Sequence, residues 1–162
     1  MFLRSISILL LLVGCGLKLS TLHIPYQLKQ PPAKLQLIFT SKLQTPWQIG
    51  FIENEKREPI TIDNDITKCV RTYFLQKLPK PKKNVRIEII LEDFKVVVRK
   101  RRALGYAKFH FEARWQGGVA QKDVVVRRVA KIQDQKDLEA MVVGMCKEAA
   151  RIVKEQYALL GV

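Results

Sequence analysis

Three thiols, two imidazoles and one dense run of cations are the side chains of this sequence with chemistry to offer. Cys15 closes an apolar run and follows Leu12, Val13 and Gly14. Small residues before a thiol let an enzyme groove close around extended backbone, and the thiolate is the nucleophile that accepts a group. Cys69 and Cys146 fall on helical patterns, where two separately buried thiols or a bridge between neighbouring helices are the alternatives. Arg99, Lys100, Arg101 and Arg102 form a cationic cluster suited to an anionic ligand, and Lys82 and Lys83 add a second pair. His23 and His110 carry no adjoining motif that would make either a base, so each reads as structural or exposed. Glu92 and Asp93 are an acidic pair in a basic strand, better placed for a salt bridge or a bulge than for acid–base work. No glycine-rich phosphate loop, zinc-ligand spacing or nucleophile elbow is present. The expectation is a non-enzymatic protein with no catalytic residue, no metal and no cofactor.

The thiol at position 15 belongs to an address. Met1-Phe2-Leu3-Arg4 carries one positive charge, and Ile6 begins an apolar run that reaches Val13. The run is shorter than the roughly 20 residues needed to span a bilayer and has the length of a signal peptide. Leu12-Val13-Gly14-Cys15 resembles the lipobox of bacterial lipoproteins. That resemblance implies cleavage between Gly14 and Cys15, a diacylglycerol thioether on Cys15, and acylation of the new N-terminus with a palmitate-like chain. Two or more chains anchor stably where one does not. The expected organisation is a signal peptide over 1–14, a lipidated Cys15 with a proline-containing tether over 15–33, and one periplasmic domain over 34–162. The absence of Asp after Cys15 favours the outer membrane where the enterobacterial sorting rule applies.

Charge sharpens the choice of partner. The chain holds 29 Lys and Arg against 15 Asp and Glu, a net +14. Residues 77–131 carry 16 basic and 5 acidic side chains, whereas residues 132–162 carry 4 and 5. On a cytosolic protein such a patch suggests nucleic acid. Behind a lipobox the available polyanions are membrane headgroups, lipopolysaccharide phosphates, peptidoglycan carboxylates and acidic envelope proteins. A merely solubilising surface is the plain alternative. The expected partners are the membrane, an envelope protein and an anionic envelope polymer, not nucleic acid.

The elements that must present these residues follow from periodicity. Leu35, Leu37 and Phe39 alternate with Gln36, Ile38 and Thr40 in a short strand, and Trp47, Ile49 and Phe51 mark a second strand with those three on one face. Asp63, Asn64 and Asp65 cap a helix whose stripe is Ile66, Cys69, Val70, Tyr73, Phe74 and Leu78, ended by Pro79. A three-strand meander follows. Its first strand slips register after Leu91, which predicts a bulge at Glu92-Asp93. Its second alternates cleanly from Ala107 to Trp115, and its third covers 119–132. Asp134 caps a second helix over 135–160, in which Gly144 costs about 1 kcal/mol against Ala and allows close packing. The expected fold is α+β: an antiparallel sheet of about four strands with two helices on one face.

Two small Gram-negative lipoprotein families resemble parts of this sequence. Residues 85–94, a basic turn and then Gly105-Tyr106-Ala107-Lys108-Phe109 resemble the central hairpin of YajG-type lipoproteins, which implies a strand after a helix, then a further strand and a C-terminal helix. Cys15-Gly16-Leu17-Lys18-Leu19 is similar to the lipidated start of the lipopolysaccharide-assembly lipoprotein LptE, with Leu17 in place of its aromatic residue. That second resemblance implies a plug and chaperone role in an outer-membrane barrel, with basic residues meeting lipopolysaccharide.

Overall fold

The structure is a computed structural model and describes residues 19, 21–45 and 47–161. The lipobox, with Gly14 and Cys15, lies outside the described residues. Six strands and two helices follow the order β1 (Leu35–Ser41), β2 (Gln48–Ile52), β3 (Pro59–Thr61), α1 (Ile66–Leu75), β4 (Val85–Arg99), β5 (Arg102–Trp115), β6 (Gly118–Lys131) and α2 (Gln135–Leu159). The strands form one sheet in the order β3-β2-β4-β5-β6, and β1 pairs with the first half of β4.

Period-two alternation decides the faces of the meander. Ile87, Ile89, Leu91, Phe94, Val96 and Val98 of β4 point to the helices, as do Ala103, Ala107, Phe109 and Phe111 of β5; all are buried. α1 and α2 cover that one face, with Val70 and Phe74 of α1 and Met141, Val142, Met145 and Val153 of α2 buried in the shared core. Phe39 of β1 meets Phe74 edge to face, with centroids 6.3 Å apart. Close approach needs two glycines here. A Cβ on Gly105 would sit 2.3 Å from Met145 Sδ, and one on Gly144 would sit 2.6 Å from an Arg128 guanidinium nitrogen. Among the described residues the opposite face of the sheet carries no helix.

The caps are those expected. Asp65 accepts from the Thr67 N–H at 2.8 Å, and Asp134 accepts from the Asp137 N–H at 3.0 Å. The bulge also falls where the slip in pattern puts it, between Leu91 and Asp93.

Several boundaries differ from expectation. The sheet has six strands rather than about four, and β1 and β2 run parallel to β4 within an otherwise antiparallel sheet. Trp47, Ile49 and Phe51 do not share a face: a register shift between Gln48 and Gly50 buries Ile49 with Ile52 and turns Phe51 to the open side. α1 ends at Leu75, short of Leu78. The Gln76 carbonyl accepts from Lys154 Nζ of α2 at 2.9 Å, so the last turn is satisfied by the neighbouring helix. The stretch expected to be tether is in part docked. Leu22 and Ile24 are fully buried, Leu22 bridges to Ile62, and Asp63 N–H donates to the Leu22 carbonyl at 3.0 Å. The folded unit therefore begins before residue 34. None of the described helices is long and apolar enough to cross a membrane.

Candidate functional site

β4 and β5 meet in a two-residue turn, with Arg99 paired to Arg102 and Lys100-Arg101 at the tip. Both tip residues have positive φ, 45° and 61°, as the tight hairpin turn that matches strand twist requires. Asn and Gly fill such positions without penalty, whereas a long side chain there costs about 1 kcal/mol or more. The turn thus carries two cations at a cost in backbone strain. Lys131 of β6 pairs with Arg102 beside it, and Arg101 accepts at its carbonyl from the Ile132 N–H at 2.8 Å.

The open face divides at its middle. Residues 95–107 and 125–131 hold eight Lys and Arg and no Asp or Glu; Arg128 turns to the helix side, and the other seven lie on the open face or at the tip. From the neighbouring loop, Glu53 reaches Arg99 Nε at 3.4 Å. At the other end, residues 85–93, 108–115 and 118–124 hold four Lys and Arg against five Asp and Glu, and Glu92, Lys108, Glu112, Arg114 and Asp123 among them are tied in ion pairs. Glu92 accepts from Lys42 at 2.9 Å and Lys108 at 2.7 Å, Lys108 also reaches Asp123 at 3.3 Å, and His110 Nδ1 lies 2.9 Å from Asp123. Arg114 pairs with Glu112. The hydrogen bonds from Lys108 and Lys42 hold Glu92 below the ordinary carboxylate range, His110 and Lys108 do the same for Asp123, and Arg114 and Gln121 for Glu112. Glu92 in turn raises Lys108.

The expected anionic-ligand residues are not one cluster. Arg99, Lys100, Arg101 and Arg102 are together at the tip. Lys82 and Lys83 precede β4, whose 15 residues span about 45 Å at ~3.3 Å per residue, so they stand at the opposite end of the sheet. Sequence density pointed to them; strand length separates them. The structure supplies other neighbours for the tip instead: Lys131, Arg127 and Lys95, brought in by cross-strand register.

The remaining candidates have structural surroundings. Cys69 of α1 and Cys146 of α2 are free thiols, fully buried in the core, and their side chains meet across the helix pair. Burial, with the Cys69 sulfur alongside, pushes the Cys146 thiol well above its usual range, which removes its thiolate at neutral pH. The pair is not bridged in this structure. His23 contacts Asp63 through Nδ1 and donates its backbone N–H to Glu139 at 2.9 Å, fixing the entering chain. Among the described residues no three His, Cys, Asp or Glu side chains are grouped to hold a metal ion.

Comparison with known proteins bears on this fold. No family model matches the sequence, and no curated protein matches it. Among solved structures, XCC0632 from Xanthomonas campestris, of family DUF330, superposes with a TM-score of 0.55 at 12% identity, over 87% of this chain and 99% of that one. A minor lipoprotein from Acinetobacter baumannii aligns over 75% of this chain and 92% of its own, with a TM-score of 0.38 at 9% identity. The first of these likenesses shows a shared α+β architecture.

Proposed function

We propose that the protein is a lipid-anchored lipoprotein of a bacterial cell envelope. Cys15 holds it at a membrane, with the domain in the periplasm and the outer membrane as its site. It acts without catalysis, as an accessory or assembly factor whose basic end engages an anionic envelope partner. The lipobox motif and the preceding apolar run support the address. The observation that carries the binding role is the segregation of charge. One end of the open sheet face and its turn gather seven cations, Lys95, Arg99, Lys100, Arg101, Arg102, Arg127 and Lys131, without an acid from their own strands, while at the other end Glu92, Lys108, Asp123 and His110 are paired. A solubilising surface would not need this separation, nor two cations in left-handed backbone at the tip.

The test is retention of the detergent-extracted full chain on an immobilised polyanion across a salt series. Replacing Arg99, Lys100, Arg101 and Arg102 with Ser is expected to move elution to markedly lower salt. Unchanged elution would sink the binding role. Crosslinked pull-down from envelopes names the partner, and copurification with a large outer-membrane barrel would point to a barrel-associated role instead.

A further inference from the structure

Strand register brings four apolar residues of the open face into one row across four strands. Phe51 of β2 partners Val97 of β4, Val97 partners Leu104 of β5, and Leu104 partners Val129 of β6. Leu104 is 55% and Val129 63% exposed. Cations flank the row on both sides. Two residues towards the middle of the sheet stand Lys95, Tyr106 and Arg127; two residues towards the tip stand Arg99, Arg102 and Lys131. Lys95 Nζ lies 5.5 Å and Arg57 Cζ 4.2 Å from the Phe51 ring centroid, and Arg127 Cζ lies 5.9 Å from that of Tyr106. A shallow groove of about 430 Å³ runs among Lys95, Val97, Leu104, Tyr106, Arg127 and Val129.

Charge and position select the occupant. A cation–apolar–cation banding matches a surface whose anionic headgroups overlie an apolar layer. The chain also runs into the fold from this side, joining it level with the middle of β4: Leu22 bridges in parallel to Ile62, next to Thr61, which pairs with Gln48. Leu22 N–H donates to the Thr61 carbonyl at 2.9 Å, on the strand beside β2, and His23 N–H donates to Glu139 in the first turns of α2. α2 begins four residues after Lys131, the partner of Arg102. Cys15 precedes Leu22 by seven residues, which reach at most about 25 Å. The tip is about 20 Å from that level, so an anchor on Cys15 keeps the bilayer within reach of the tip end, the side from which the chain arrives.

We infer that this face docks on the anionic bilayer that holds the anchor. Leu104 and Val129 lie at the boundary of headgroup and acyl chain, and Lys95, Arg127, Arg99, Arg102 and Lys131 meet lipid phosphates. The inference rests on the proposed lipid anchor at Cys15. The test places a photo-crosslinking residue at Leu104, at Val129 or at Val119 of the full chain in its native envelope. Val119 is 58% exposed on the same face at the far end, and serves as the control. Phospholipid adducts, identified by mass, are expected at positions 104 and 129 and at least about tenfold less at 119. Lys95→Ser with Arg127→Ser is expected to cut the adducts by about tenfold or more. Protein adducts at 104 and 129, or equal lipid labelling at all three positions, overturn the docking. The intact mass of the N-terminal peptide from the same sample separates the two claims. Acylated Cys15 without an adduct at Leu104 refutes the docking alone. Unmodified Cys15 refutes the anchor alone if the adducts at 104 and 129 persist, and both claims if they are absent.

Discussion

The two ends of the uncovered sheet face are laid on the same three strands over the same core, yet they handle charge in opposite ways. Near the β5–β6 turn, β4 and β5 each contribute acids and bases and β6 contributes Asp123, and Glu92, Lys108, Asp123 and His110 form a continuous chain of contacts from β4 to β6. Near the β4–β5 turn, cations from all three strands surround an exposed apolar row. Exposed ion pairs add little stability, so the paired end is best understood as a surface with its charge quenched. The cationic end pays in self-repulsion and in backbone strain at Lys100 and Arg101. The proposed binding role would account for an arrangement that costs the folded state and adds nothing to packing.

The largest effect belongs to neither end. Phe109→Ala removes a buried ring from the core beneath both and is expected to cost about 3–5 kcal/mol in a urea melt. If anionic-vesicle binding per folded molecule fell as well, the distinction between core and surface would break. Next, Lys95, Arg99, Arg102 and Arg127 exchanged together for Ser should weaken binding to anionic vesicles by about three orders of magnitude, at roughly 1 kcal/mol per cation. Lys108→Ser and Arg114→Ser at the paired end should leave it nearly unchanged. Third, replacing Lys100→Asn and Arg101→Gly relaxes the turn and should stabilise the fold by about 1 kcal/mol while weakening binding. A variant that loses stability would show that the turn is not strained.

The smallest effect is pH dependence at the paired end. Glu92, Asp123 and Glu112 are held low, so their contribution to stability is complete above the unfolded carboxylate range near 4. It is lost as pH falls through their lower folded-state values. Lys108 is held high, so its share persists at neutral pH and is lost as pH rises through its raised value. Replacing Glu92→Gln should flatten the acid limb of a stability–pH curve, whereas removing tip cations should not.

Much of this architecture was legible in local pattern. Asp65 and Asp134 marked both helix starts, and the slip after Leu91 located the bulge, because caps and pleat parity are properties of neighbouring residues. Arg99 to Arg102 also stood out as contiguous charge. What local pattern hides is pairing at a distance. Lys95, Leu104, Arg127 and Val129 are scattered in sequence and become one surface only through the β4–β5–β6 register. Lys82 and Lys83 illustrate the converse, near the tip cations in charge density and a sheet length away in space. Alternation does not give the face of β2 because Gly50 lies against the Val96 backbone. A Cβ there would stand 1.7 Å from the Val96 oxygen, so that contact sets the register and alternation does not. Leu22 and Ile24 read as tether since two apolar residues among prolines carry no period, and only the groove beside Ile62 gives them a place.

The claim that one end of the open face is the working surface is tested most directly by vesicle flotation of the full chain. The comparison is between a variant lacking the four tip-end cations Lys95, Arg99, Arg102 and Arg127 and one lacking Lys42, Lys108, Arg114 and Lys122 at the paired end, both with Cys15→Ser to remove the anchor. Flotation with anionic but not zwitterionic vesicles, lost in the first variant and kept in the second, is the predicted result. Equal loss in both would contradict the account, because binding would then follow net charge and not the surface that the register builds.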